Sequence, residues 1–404
     1  MRILLAANAS YFPPRGGSTR SNLVWLRHLA GEGHECRVLC AAAEAGTNAE
    51  AELAEENIVS RTDGGVEIVP VENLARQPGR LGEEVERFRP DWLLISSEDI
   101  AHTLLRQAEE ALPGRVVFLA HTPQFCPFGP ESWSRDEAAT AMVRRAAGVV
   151  TISETTAHYV REHAGCEAAV IHPPIYGQPP YARTKAFENG SILMVNPCAV
   201  KGVAIFLALA DAFPPHRFAV IPGWGTTSAD REALARRANV AILPHVREMR
   251  DRMLETKVLL VPSLWMEGFG LVVMEAMLHG VPVVASNAGG LVEAKRGTGL
   301  IVPVERIARY ERAFDERHMP RPVMPALDTT PWVETLRPLL EDRKHWQEAS
   351  DLAYARATEF VGGLRAGEFA DYLTQLKPRA ARPVERLSAA DKLRLLAKVR
   401  EKKS

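Results

Sequence analysis

The sequence predicts an α/β protein of two similar parallel-sheet domains facing each other across a central cleft. Three observations carry this prediction. Short aliphatic runs of strand length alternate with segments of helical periodicity along most of the chain. The rhythm breaks at one Pro/Gly-rich stretch, PPIYGQPPYARTKAFENG (Pro173–Gly190), and then restarts. Glycine-rich loops recur where a strand passes into a helix, on the side of an α/β sheet where ligands bind. At 404 residues the chain exceeds one average domain and fits two of about 150–200 residues.

The first strand is MRILLAA, followed by the loop YFPPRGGS and then TRSNLVWLRHLAGEGHE. There Leu23, Leu26, Leu29 and Ala30 recur at helical spacing before a glycine stop. CRVLCAA completes a strand–helix–strand unit. Further strands are expected at Asp91–Ser97, Arg115–His121, Ala147–Ser153 and Ala168–Pro174. Each is short and has a β-branched or aliphatic core, as expected of strands in a parallel sheet covered on both faces. After the break come strand SILMVN, helix GVAIFLALADAF, strand RFAVIPG, helix SADREALARRA and strand NVAILPH. Helix REMRDRMLET, strand KVLLVPS, helix GLVVMEAMLHG and strands VPVVAS and GLIVPV follow. Helical pattern resumes near Trp332 and runs to about Leu376. The expected division is 1–185, 186–355, a returning helix over 356–376, and a basic tail over 377–404. In that tail, from Pro378 on, nine Lys and Arg face three acids, and SAADKLRLL reads as an amphipathic helix capped by Ser388 with Asp391 three residues on. It could dock on a protein partner or on this chain, or fray in solvent.

Composition is that of an ordinary globular protein: 46% hydrophobic, 25% charged, with a formal net charge of -1. A near-neutral chain without nucleic-acid motifs gives no reason to expect a nucleic-acid partner. No run of 18 apolar residues exists, so no spanning helix is expected. The five cysteines are scattered, with no CxxC pair and no zinc spacing, which suits free thiols in a reducing cytoplasm. The N-terminus reads as a strand, not a signal peptide. No HExxH, GxSxG or EF-hand pattern appears, which lowers metallohydrolase and serine-hydrolase readings; no cofactor and no essential metal are expected.

Several residues stand where chemistry would need them. Gly16 and Gly17 lie between strand and helix, where bare amides could meet an anion or simply form a tight turn. Their spacing fits neither GxGxxG nor a P-loop. Lys201, ahead of Gly202 at the next such crossover, could meet a phosphate or be a plain surface lysine. His121 ends an apolar strand and could serve as acid, base or core histidine. In PSLWMEGFGLVVMEAMLHG two acids stand eight residues apart, Glu267 in the loop and Glu275 inside the helix. Gly268, Phe269 and Gly270 between them open the helix and offer amides to a diphosphate. Glu267 could instead be a helix-capping acid and Glu275 a solvated one. Because Glu275 sits in an apolar run, it should have a partner. Glu293, after Gly289–Gly290, is expected to shape the same crevice.

Taken together, these segments resemble the retaining GT-B glycosyltransferases of glycosyltransferase family 4, over about Met1 to Leu376. The most specific stretch is PSLWMEGFGLVVMEAMLHGVPVVASNAGGLVE, which carries the family's Glu-x7-Glu pattern as Glu267 and Glu275. PPRGGSTRSNLVWLRHLAGEGHECRVL, VTISETTAHYV and Lys201–Gly202 support it. The resemblance implies two Rossmann-like domains holding a nucleotide-diphosphate sugar, UDP- or GDP-linked. Gly16 and Gly17 would then meet the diphosphate and sugar side, and Lys201 would neutralise the diphosphate. Glu267 would contact sugar hydroxyls and Glu275 ribose hydroxyls, with the amides of Gly268 to Leu271 between them. His121 would lie near the anomeric carbon, and the terminal helix would return to the first domain.

One departure stands out. Family members usually carry an arginine five residues before the lysine, where this chain has Asn196. Asparagine can donate to a phosphate oxygen but brings no charge, so either Lys201 and the helix dipoles suffice, or another base such as Arg20 or Arg247 compensates, or the site is weakened. The acceptor, a small molecule or glycan, is not legible; the loop HTPQFCPFGPESW (His121–Trp133) is a candidate wall for it. Alternatives are a nucleotide-sugar epimerase, a phosphorylase whose pyridoxal-phosphate signature is missing, or a non-catalytic sugar-nucleotide-binding or scaffold protein.

Overall fold

A computed structural model describes residues 1–42, 60–72, 74–77, 79–244, 246 and 249–380. The capped tail helix around Ser388 and Asp391, and Arg247 as a compensating base, lie outside the described residues. The first sheet contains β1 (Arg2–Ala7), β2 (Glu35–Ala41), β3 (Arg61–Asp63), β4 (Val66–Val71), β5 (Trp92–Ser96), β6 (Val116–Ala120), β7 (Gly148–Thr151) and β8 (Ala169–Val170). Their order is β3-β4-β2-β1-β5-β6-β7-β8, parallel except for the β3–β4 pair. The second contains β9 (Ser191–Val195), β10 (Phe218–Ile221), β11 (Val240–Ile242), β12 (Thr256–Val261), β13 (Val283–Ser286) and β14 (Ile301–Val302). It is parallel throughout, in the order β11-β10-β9-β12-β13-β14.

The aliphatic runs become central strands because helices cover both faces. Ile3 to Ala7, Leu93 to Ile95 and Val258 to Leu260 are all essentially inaccessible. Strand order reverses between β1 and β5 in the first sheet and between β9 and β12 in the second. Crevices open at such reversals, outside the carboxyl ends of the strands. The loops that leave β1, β9 and β12 carry Gly16–Gly17, Asn196–Lys201 and Ser263–Gly270, so topology alone brings the candidate residues to facing edges.

The two sheets are joined twice. Residues 171–190 cross as an irregular segment, and the Thr184 amide donates to the His279 carbonyl (2.8 Å). The Arg343–Gly362 helix runs unbroken through the expected 355/356 boundary. The Glu368–Gln375 helix then packs on the first domain, where Phe369 stacks on Trp25 with ring centroids 4.7 Å apart. The sequence reading lacks strands β3 and β4 of the first sheet and the antiparallel hairpin β15 (Tyr310–Phe314) and β16 (Pro320–Pro322). The expected strand GLIVPV shrinks to the two residues of β14. No described helix is long and apolar enough to cross a membrane.

Candidate active site

The centre of the crevice is built by the loop after β12 and the Leu271–Leu278 helix that follows it. Gly270 takes the left-handed φ of 105° at the helix entrance, a conformation that only glycine adopts without strain. Gly268 is forced by space. A Cβ there would lie 2.0 Å from the His121 carbonyl oxygen, across the interface between the domains. The Gly268 carbonyl accepts hydrogen bonds from Ser153 Oγ and Thr156 Oγ1 at the start of the Glu154–Ala164 helix. Two structural surfaces thus meet at the proposed diphosphate cradle.

Glu267 does not stand alone in its loop. Lys201 Nζ donates to its Oε1 at 2.6 Å, and Ser263 Oγ donates to the same oxygen. Both charged side chains are largely buried, at 19% exposure for Lys201 and 11% for Glu267. Burial pushes the Glu267 carboxyl up, but the Lys201 ammonium and the hydrogen bonds outweigh it and hold the group below the ordinary carboxylate range. Lys201 Nζ also lies 4.7 Å from the centroid of the Trp265 ring. Its position is set by the short 3-10 turn Ala199–Lys201 and by Gly202, whose φ is 83° and whose Cβ would strike the Pro262 carbonyl.

Glu275 has the partner its apolar surroundings require: Arg20 Nη2 donates to Oε1 at 2.8 Å from the first domain. The cation of Arg20 is thus engaged with Glu275. Beside this pair a cavity of about 310 Å³ is lined by Tyr176, Tyr181, Met249, Arg250 and His279, among others.

The first domain faces these groups directly. Gly16 lies against Trp224, with a virtual Cβ 3.6 Å from the indole, and a Cβ on Gly17 would be 3.0 Å from Leu271 Cδ1. His121 is buried, and burial holds its imidazole below the usual value against the opposing charge of Glu98. Its Nε2 meets Asn22 Oδ1 at 2.7 Å, and Asn22 Nδ2 donates to Tyr11 Oη and Ser96 Oγ. Among the described residues His121 Nδ1 has no hydrogen-bond partner.

Asn196 follows β9 with φ 56°, and is 7% exposed. Its Oδ1 accepts from the Gly225 amide (3.0 Å), which fixes the carboxamide so that Nδ2 points elsewhere. No described group receives a hydrogen bond from Nδ2.

Glu293 caps the Glu154–Ala164 helix across the interface, accepting from the amides of Glu154 and Thr155 and from Thr155 Oγ1, each at 3.1 Å. Sequence reasoning missed Asn22, Ser263 and Trp265. Ser263 and Trp265 lay within the quoted motif, but Asn22 is a mid-helix residue 99 positions from His121, and no local signal marks it.

Two family models match the chain. Glycosyltransferase Family 4 matches residues 15–176, and Glycosyl transferases group 1 matches residues 190–316. An uncharacterized 41.2 kDa protein in the cps region of Klebsiella pneumoniae is 46% identical over 71 residues, which is 17% of this chain and 20% of that protein. The chain thus matches about one fifth of that relative's length. Sucrose-phosphate synthase (tll1590) from Thermosynechococcus elongatus superposes with a TM-score of 0.68 at 16% identity, covering 93% of this chain and 99% of that one. Anabaena Alr3699/HepE in complex with UDP-glucose gives a TM-score of 0.65 at 16% identity, over 93% and 100%. Likeness at these identities establishes the fold, and the chain has the GT-B fold of two Rossmann-like domains.

Proposed function

We propose that this protein is a retaining glycosyltransferase, moving a sugar from a nucleotide-diphosphate donor, UDP- or GDP-linked, to a small-molecule or glycan acceptor. The observation that carries this reading is the meeting of Lys201, Glu267 and the amides of Gly268 to Leu271 with Gly16, Gly17 and His121 at one crevice. The two family models, each named for glycosyltransferases, support it from both halves of the chain.

As the glycosidic bond breaks, negative charge grows on the β-phosphate. Lys201 and the amino end of the Leu271–Leu278 helix bind that charge more tightly in the transition state than in the ground state. Nζ now held by Glu267 is the ammonium that would turn to the phosphate. Glu267, kept ionised and oriented by Ser263, holds donor hydroxyls instead of attacking the anomeric carbon. Same-face attack by the acceptor, assisted by the departing phosphate oxygen, retains configuration without a protein nucleophile. Glu275 grips the ribose, and the adjoining cavity of about 310 Å³ is of a size to take a nucleoside. His121, neutral and backed by Asn22, offers Nδ1 toward the sugar side. Asn196 offers one neutral donor to the diphosphate. No metal enters this scheme.

A second reading, a sugar-nucleotide-binding protein without catalysis, draws on Asn196, because the usual cation is missing there. The deciding experiment is a screen of nucleotide sugars for protein-dependent nucleotide release, with and without cell extract as acceptor source, followed by NMR of the product anomer. Release with retained configuration supports the transferase. UDP or GDP binding without donor consumption favours the second reading. Unchanged transfer by Lys201→Ala and Glu267→Ala would remove these residues from the site.

A further inference from the structure

The hairpin β15–β16 ends in a turn that satisfies itself. Asp315 Oδ1 accepts from the amides of Arg317 (2.8 Å) and Met319 (2.9 Å), and His318 takes φ 58°. Its tip is therefore rigid, and two tip side chains reach out to one neighbouring loop. Arg317 Nε donates to the Thr226 carbonyl at 3.1 Å, while Glu316 Oε1 accepts from Ser228 N (2.6 Å) and Ser228 Oγ (2.9 Å). The other end of the hairpin is anchored across the crevice. Tyr310 meets Trp133 edge-on at 5.5 Å, and nearby Arg306 pairs with Glu131 at 2.7 Å.

The gripped loop, residues 223–228, is the one that fixes Asn196. The Gly225 amide and Thr226 Oγ1 approach Asn196 Oδ1 at 3.0 and 3.5 Å. The packing admits no side chain: a Cβ on Gly223 would lie 2.7 Å from Asn196 Oδ1, and one on Gly225 would lie 2.8 Å from Cys198 Sγ. A contact chain thus runs from the hairpin tip through this loop to a carboxamide whose nitrogen is buried and has no described partner. A mobile carboxamide would exchange its two ends, presenting oxygen to an anion half the time. A pinned one presents only N–H groups.

We infer that Glu316 and Arg317 are positioning residues for the donor's diphosphate, acting through the 223–228 loop to hold Asn196 Nδ2 toward it. This rests on the donor-site reading above. Preorganisation then supplies part of what an arginine would supply by charge.

The test measures UDP, GDP, UMP and GMP binding by calorimetry to the full chain and to E316A/R317A, N196L and the triple variant. For the diphosphate that binds, E316A/R317A is expected to weaken affinity about tenfold, with the matching monophosphate nearly unaffected, as loss of one hydrogen bond to a charged group implies. In the N196L background the tip substitutions should add nothing further, since both act on one contact. R317K, which keeps a donor for Thr226, should recover part of the loss. Equal weakening for mono- and diphosphate, or losses that add in the triple variant, would overturn the inference while leaving the donor site standing. A wild-type protein that binds neither UDP nor GDP overturns the donor site and the inference together. Should E316A/R317A fail to fold, E316A and R317A taken singly carry the same diphosphate-to-monophosphate comparison.

Discussion

Replacing Lys201 by methionine keeps most of the side-chain volume and removes the charge that Glu267 is paired with. The two groups are 2.6 Å apart and largely buried, so the variant leaves a carboxylate with Ser263 as its remaining close partner. Breaking a buried pair from one side costs about 3–5 kcal/mol, and the residual exposure at both ends points to the lower limit, about 3 kcal/mol. For a domain of this size that corresponds to a Tm lowered by about 6–12 °C. The pH dependence is more diagnostic than the size. In the wild type the folded Glu267 pKa is depressed, so its stabilisation is present above the unfolded value of about 4.3 and is lost as pH falls through the folded one. Without the ammonium, burial dominates and raises the folded pKa, so the penalty appears as pH climbs past about 4.3. Thermal melts of both proteins between pH 4 and 7.5 should therefore show Tm values that nearly meet at the acid end and diverge toward neutrality. A gap that is constant with pH would refute the ionic account and leave lost packing as the cause. Adding Glu267→Gln to Lys201→Met should recover much of the loss at pH 7, because no unpaired charge then remains.

Other predictions concern the interface and the histidine. Gly268→Ala puts a Cβ 2.0 Å from the His121 carbonyl, so a contact of about 3.3 Å requires the domains to part by roughly 1.3 Å; nucleotide release should fall about 10²-fold while the far-UV circular dichroism stays unchanged. His121 has a folded pKa lowered by burial, so the unfolded chain takes up a proton first and stability declines as pH drops below about 6.5; its ring resonances should not titrate there. Phe369→Ala removes the stack on Trp25 at a cost of about 3–5 kcal/mol, and limited proteolysis should then release the Glu368–Gln375 helix from the first domain.

Much of the architecture was legible because parallel strands buried on both faces can be written only as aliphatic runs, and each here is bounded by a glycine or proline loop. Glycines were legible as well, since Gly270 and Gly202 need left-handed backbone at helix entrances. The hairpin at Tyr310–Pro322 was not: RYERAF and PRPVMP carry mixed charges and proline, and they pair with each other outside either core. The partners of Glu293 were not legible either, because its carboxylate accepts from amides of a helix more than a hundred residues earlier.

By itself the sequence determined the two-sheet organisation, the strand-to-helix loops that bear the candidate residues, and the separation of Glu267 from Glu275 onto loop and helix. These follow from local rules, namely hydrophobic period, turn chemistry and helix entrances, which act within a dozen residues. Only the tertiary structure decided which charges face each other. Lys201 meets Glu267 over 66 positions, Arg20 meets Glu275 over 255, and Asn22 backs His121 over 99. Such pairings depend on how two sheets are set against one another, and electrostatic partners at that separation leave no periodic trace in the chain.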